Sequence, residues 1–288
     1  TVQISNNNLD FVSGPNYRYL AAPTVAALSV ATGPVRGGTV VSVSGTNFDV
    51  SGPSGYVKCL FGTREVTASA SSNTTWIICT SPAGSAGAVA VKLSFSNGVD
   101  YTPTSTTFTY YADQTVSSIS PVNGGVGGGT NVTVTGSGFA GATQCKFGST
   151  AVATATVVNG QTVMCLSPVG SAGSVSVEVS QNGLDYTQDG VRFEYQATAT
   201  VTAVYPVQGT DAGGTTLVVT GTNFADGPLL YCKLGSLAAS QGTWLSSTSV
   251  RCVTPASGST GNATVQISNN NLDFVSGPNY RYLAAPTV

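Results

Sequence analysis

Three equally spaced cysteine pairs constrain this chain more than any other feature. Cys59 and Cys79, Cys145 and Cys165, and Cys232 and Cys252 are each 20 residues apart. The same words surround every pair in the same order. The first repeat holds GGTVVSVSGTNF, CLFG, CTSP, SNGVDY and FTY; the second holds GGTNVTVTGSGF, CKFG, CLSP, QNGLDY and FEY; the third holds GGTTLVVTGTNF, CKLG, CVTP, NNNLDF and YRY. Self-similarity at a fixed period marks a tandem array. The period is 86 residues between Cys59 and Cys145 and 87 between Cys145 and Cys232, the size of a small β-sandwich. One cysteine pair per domain is the simplest reading.

Each repeat reads as β throughout. TVVSVSG, NVTVTG and TLVVTG alternate apolar with hydroxylated residues, the period of a strand with one face in water. In NVTVTG this turns Val132 and Val134 inward and places Asn131, Thr133 and Thr135 on the outer face. AVAVKLSFSNGVDYT and SVSVEVSQNGLDYT carry the same period into Asn97-Gly98 and Asn182-Gly183, a pairing that predicts type I′ hairpin turns, with Asn270-Asn271 at the matching place in the third repeat. Charged residues are only 8% of the chain, but 41% is apolar and the net charge is −2, which excludes a disordered composition. Ten Lys and Arg scattered singly leave no basic patch for nucleic acid. No apolar run approaches the roughly 20 residues of a membrane span. The chain opens with neither Met nor a signal-peptide pattern, as expected of a segment from within a mature polypeptide.

These motifs together resemble the IPT/TIG domains, immunoglobulin-like sandwiches of extracellular receptor regions, bacterial surface proteins and some transcription factors. The resemblance rests on ISPVNGGVGGGT and VYPVQGTDAGGT with Pro121 and Pro206, on G-x-x-F endings at Phe48, Phe139 and Phe224, and on a Pro three residues after each second cysteine, at Pro82, Pro168 and Pro255. The first repeat departs from it: VATGPVRGGT is two residues shorter, with its proline displaced to Pro34. The resemblance implies an all-β chain of tandem sandwiches of the E-set type, arranged as a rod-like array. Residues 23–112, 113–197 and 198–288 are then the three domains, and residues 1–22 are the last two strands of a preceding copy of the third. Each cysteine pair would tie two strands of one sandwich by a disulfide, in an oxidising, extracellular setting. The DNA-binding branch of the family would need clustered basic residues that are absent here.

The inventory excludes most catalysis and implies no cofactor. Without His there is no Ser-His or Cys-His nucleophile and no His metal ligand, and a cysteine-only zinc site would want two close pairs. Asp100, Asp185 and Asp273 recur after the hairpin turn. They read either as calcium or sugar ligands or as carboxylates bonded to turn backbone, and the lack of a second carboxylate at ligand spacing favours the latter. The endings Phe108/Tyr110, Phe193/Tyr195 and Tyr280/Tyr282 alternate along a final strand, so one ring of each pair is expected in the core and the other at a junction or in water. Asn73, Asn131 and Asn262 begin N-x-T sequons and are candidate glycan acceptors.

The two ends of the chain add a second kind of repeat. Residues Thr1 to Val25 recur letter for letter as Thr264 to Val288, an offset of 263 residues that spans all three repeats. The opening copy lacks the first two thirds of a sandwich, and an isolated two-stranded hairpin is marginal in water. A continuous polypeptide in which a three-domain block repeats accounts for this, as does strand exchange between subunits. The seam would then run through Thr1, Leu9, Phe11, Tyr17 and Tyr19, and through Thr264, Leu272, Phe274, Tyr280 and Tyr282. Head-to-tail contacts of identical blocks generate fibres. The sequence therefore points to a structural subunit of an extracellular filament or surface appendage, with copies of itself and attached glycans as partners. The alternative is a cell-surface adhesin or receptor ectodomain that binds a protein or glycan.

Overall fold

The computed structural model describes residues 1–16, 19–69, 72–103, 106–149 and 151–284. The chain divides into two compact units, Thr1–Asp113 and Gln114–Val288. Strands dominate both, and among the described residues the one helical element is a single turn at Phe139–Gly141.

In the first unit a sheet of Thr24–Leu28, Val40–Thr46 and Trp76–Thr80 faces a five-stranded sheet ordered Thr32–Pro34, Thr106–Tyr111, Gly87–Ser94, Lys58–Phe61, Arg64–Thr67. Alternate residues of both sheets fill the core between them, among them Val41, Val43 and Ile77 from one and Phe61, Val91, Leu93 and Phe108 from the other. The shortened loop of this repeat still lays Thr32–Pro34 parallel to Thr106–Tyr111, as Asn123–Gly125 lies parallel to Arg192–Gln196 in the second repeat. The loops differ at proline: the Ser120–Pro121 and Tyr205–Pro206 bonds are cis, whereas Pro34 follows a trans bond.

The second unit holds the other two repeats, each around its own core. In the second repeat Val132 and Val134 are fully buried while Asn131 and Thr135 are exposed, the two faces that alternation assigns them. Its strand Ala151–Asn159 pairs first with Gln144–Phe147 and then with Thr162–Leu166, so that it crosses from one sheet to the other. In the third repeat Thr200–Tyr205, Thr216–Thr222, Ser249–Val253 and Thr243–Ser246 form one sheet, and Gln208–Thr210, Val275–Leu283, Gly261–Ser268, Tyr231–Leu234 and Ser240–Gln241 form the other. A disulfide joins the two sheets of every repeat: Cys59–Cys79, Cys145–Cys165 and Cys232–Cys252, with Cα separations of 6.3, 6.2 and 6.0 Å.

The paired aromatics correct an expectation. Both rings of each pair are buried, edge to face with centroids 5.0 Å apart in all three repeats. The second ring stays inside because its hydroxyl has a fixed acceptor. Tyr110, Tyr195 and Tyr282 donate to the carbonyls of Pro82, Pro168 and Pro255 at 2.7, 2.8 and 2.9 Å. The proline after each second cysteine thus ends a strand beside a tyrosine that latches it to the opposite sheet. Burial raises the pKa of these three phenols above the ordinary tyrosine value. At Tyr101 the hydrogen bond to the Glu65 carboxylate, more than burial, pushes it up to about 12. The folded chain therefore keeps protons that the unfolded chain releases near pH 10, and stability present below that pH falls as pH rises above it. The urea midpoint should drop between pH 8 and pH 11, and replacing the three latch tyrosines with Phe should flatten that drop. An unchanged slope in the triple variant would rule out the latch as its source.

Candidate functional site

The hairpin loop before the last strand closes on a small side-chain turn. In the third repeat Asn270 Oδ1 accepts from the backbone N–H groups of Leu272 at 3.0 Å and Asp273 at 2.8 Å. Its Nδ2 donates to Asp273 Oδ2 at 2.7 Å. Asn182 and Asp185 repeat this with distances of 3.0, 2.9 and 2.6 Å. So do Asn7 and Asp10 of the opening segment, at 2.9, 2.8 and 2.6 Å. The Asn side chain mimics a backbone turn and holds the carboxylate at the tip. Asn7 through Asp10 are exposed to solvent yet keep the same bonds, so the tip does not depend on a sandwich beneath it.

This geometry corrects two readings of the sequence. Asn97 and Gly98 both take positive φ, 57° and 86°, as a type I′ turn requires, but in the other repeats only Gly183 and Asn271 do, at 75° and 59°. Asn182 and Asn270 act through their side chains instead. Among the described residues the Asp273 carboxylate bonds no turn backbone; its partners are the Asn270 amide and a residue of the preceding repeat.

That residue is Thr130, in the Gly-rich loop of the second repeat. Its hydroxyl donates to Asp273 Oδ2 at 2.6 Å, and Asn270 Nδ2 donates to the Asn123 carbonyl at 3.1 Å. Thr130 is fully buried, with its amide held by the Ser167 hydroxyl at 3.1 Å. Gly124 is required directly above it, since an added Cβ would sit 2.2 Å from Thr130 Oγ1 and 2.8 Å from the Phe193 ring. Second and third repeats are therefore clasped, tip into socket. A cleft of about 340 Å³ lies beside the clasp, lined by Asn123, Gly125, Thr198, Asn269, Asp273 and Phe274.

Asp273→Ala should remove the acceptor from a buried Thr130 hydroxyl, at a cost of about 1.5 kcal/mol for an unsatisfied group beside a half-open site. A double-mutant cycle with Thr130→Val measures the pair itself. Additive effects would show that the two residues do not cooperate.

The remaining sequence candidates are dispersed. Asp100 is exposed on a tip one residue longer, where Ser96 replaces the clamping Asn: its Oγ accepts the Asp100 amide at 2.7 Å. Asn131 and Asn262 are exposed on strands, whereas Asn73 is half-buried with its Oδ1 accepting from Thr75 and from the Trp76 amide. Of the seam residues, Thr1, Leu9, Phe11 and Tyr19 are exposed, and Tyr17 lies outside the described residues, as do 285–288. In the closing copy Tyr280 and Tyr282 are buried, Thr264 and Phe274 are half-buried and Leu272 is exposed. Among the described residues no three His, Cys, Asp or Glu converge as metal ligands. Glu178, a buried carboxylate, bonds Thr187 at 2.6 Å. The socket residues Asn123, Gly124 and Thr130 have no sequence signal beyond the Gly-rich loop ending in Thr, which the family resemblance alone already explains.

Comparison with known proteins agrees with this architecture. Fibrocystin-L of Mus musculus is 31% identical over 244 residues, covering 82% of this chain and 5% of that protein. Fibrocystin-L of Homo sapiens is 29% identical over 254 residues, covering 84% and 6%. The chain thus spans about one-twentieth of these relatives. Among solved structures, the plexin A4 full extracellular region aligns over 99% of this chain and 26% of its own, with 19% identity and a TM-score of 0.45. The IPT/TIG domain itself matches at residues 23–110, 115–195 and 199–282. With three matches in series over most of its length, the chain belongs to the IPT/TIG domain family.

Proposed function

We propose that this chain is a segment of the extracellular part of a cell-surface protein, in which tandem IPT/TIG domains form a non-catalytic ectodomain that spaces and presents binding surfaces. The observation that carries this reading is the cysteine inventory. All six cysteines are paired across buried cores and none is free, which suits an oxidising compartment. Exposed sequons at Asn131 and Asn262 and the likeness to fibrocystin-L support it. The comparisons favour this ectodomain reading over the filament to which the duplicated segment points. Glycans at the two exposed sequons are part of the proposal.

Surface labelling of intact native cells, followed by peptide mapping without reduction, tests it. Labelled peptides should carry the three intact cystines, with glycan on Asn131 or Asn262. Recovery of the chain only from the cell interior, with free thiols, would reject an ectodomain.

A further inference from the structure

The third repeat carries a socket of its own. Gln208, Gly209 and Thr215 stand where Asn123, Gly124 and Thr130 stand in the second repeat. An added Cβ at Gly209 would lie 2.4 Å from Thr215 Oγ1 and 2.1 Å from the Tyr280 hydroxyl, so the two oxygens converge beneath this glycine. Gly124 and Thr130 are buried, whereas Gly209 and Thr215 are only half-buried and Gln208 is exposed. The second socket has Phe193 at the position of Tyr280, and no hydroxyl. The Tyr280 hydroxyl is fully buried and, among the described residues, has no hydrogen-bond partner. A buried donor without an acceptor is costly.

The first repeat carries the matching defect. Its tip has Ser96 in place of the clamping Asn, and among the described residues no hydrogen bond reaches the Asp100 carboxylate. One tip has lost a donor to its carboxylate, and one socket has gained a buried donor. In a polypeptide whose three-repeat block recurs, the duplicated segment would bring these two together, because the residues that finish the third repeat, Thr264 to Val288, are identical to those that lead into the first, Thr1 to Val25.

We infer that the Gly209–Thr215 face of the third repeat is a docking site for the Asp100 tip of a further first repeat, with the half-buried Thr215 donating to the Asp100 carboxylate and a small outward shift of Gly209 and Thr215 letting the Tyr280 hydroxyl donate to it as well. The inference rests on reading the chain as one block of a tandem extracellular array. It makes the seam between blocks a clasp of the same kind as the one between second and third repeats, with the second donor moved from tip to socket. The tips carrying Asn182 and Asn270 bring their own amide donor and have no use for Tyr280.

Two polypeptides test this: the 288-residue chain, and the same chain continued past Val288 by a second Ala26–Asp113. Tyr280→Phe should leave the urea midpoint of the shorter chain unchanged or raised, because it deletes an orphan hydroxyl, and should lower that of the longer chain. The same sign in both would overturn the inference. A cysteine pair gives a second measurement that does not depend on stability. Thr215→Cys with Asp100→Cys in the appended repeat should oxidise to a cystine found by peptide mapping, and Thr130→Cys with Asp273→Cys is the reference. Closure of both pairs supports the docking. If the reference closes and the seam pair stays open, the inference fails and the array with its internal clasp survives. If the reference stays open, the clasp itself is wrong and the inference falls with it.

Discussion

Gly136→Ala should destabilise the second repeat by about 3 kcal/mol, at the upper end of what forcing atoms into a packed core costs. The glycine opens the G-x-x-F motif, and its role is space rather than backbone freedom. An added Cβ would lie 1.8 Å from the Thr115 carbonyl and 2.7 Å from the Phe139 ring. The same carbonyl approach recurs at Gly45, 1.9 Å from Thr24 O, and at Gly221, 1.8 Å from Thr200 O. In each repeat the register of the first strand shifts by a residue just there, between Val25 and Ala27, Val116 and Ser118, and Val201 and Ala203. Such a bulge presses the first strand against the second, and the Phe three residues on folds over the glycine. The opposing atom is backbone within a ladder, so it cannot swing aside as a side chain would. Gly127→Ala is the control, because its Cβ would meet nothing within 4 Å and its φ is not positive. Urea denaturation should separate the two variants clearly. A loss below about 1 kcal/mol for Gly136→Ala would mean that the first strand is loosely held and that the motif serves some other end.

The sequence made the strands legible wherever one face met water, because alternation is a local property. Val132, Val134 and their counterparts needed nothing but period two. It made the hairpins legible but not their tips. Asn182-Gly183 looks like a type I′ turn by composition, yet the Asn side chain can substitute for backbone and releases its own φ from the positive region. The partner of Asp273 lies 143 residues away at Thr130, and no local pattern encodes a contact of that span. The duplicated segment shows the limit most sharply. Val2 and Ile4 are 46% and 71% exposed, whereas Val265 and Ile267, in identical sequence, are fully buried. The hydrogen bonds from Gln3 to Ser13 and from Gln266 to Ser276 are the same in both copies, at 3.1 and 3.2 Å. Local bonds follow local sequence, and burial follows what stands opposite. The same holds for Tyr110, Tyr195 and Tyr282: their inward turn depends on the carbonyls of Pro82, Pro168 and Pro255, 27 or 28 residues distant.

Cys232→Ala together with Cys252→Ala should lower the stability of the third repeat by about 3 kcal/mol, the loop-closure entropy released when a cross-link over 20 residues is lost. In a domain of this size that corresponds to roughly 15 °C in melting temperature. The pair joins Tyr231–Leu234 in one sheet to Ser249–Val253 in the other, and both sulfurs are buried. Only Leu230, Leu234, Val250 and their neighbours would then hold the sheets face to face. The three repeats have separate cores, so calorimetry should show one transition falling while that of the first repeat stays in place. The second repeat should move only by the share that the Thr130–Asp273 clasp transmits. The single variant Cys232→Ala is the more damaging change, since it leaves Cys252 as a thiol able to exchange with the native cystines. A shift under about 4 °C in the double variant would show that burial alone holds the sandwich closed.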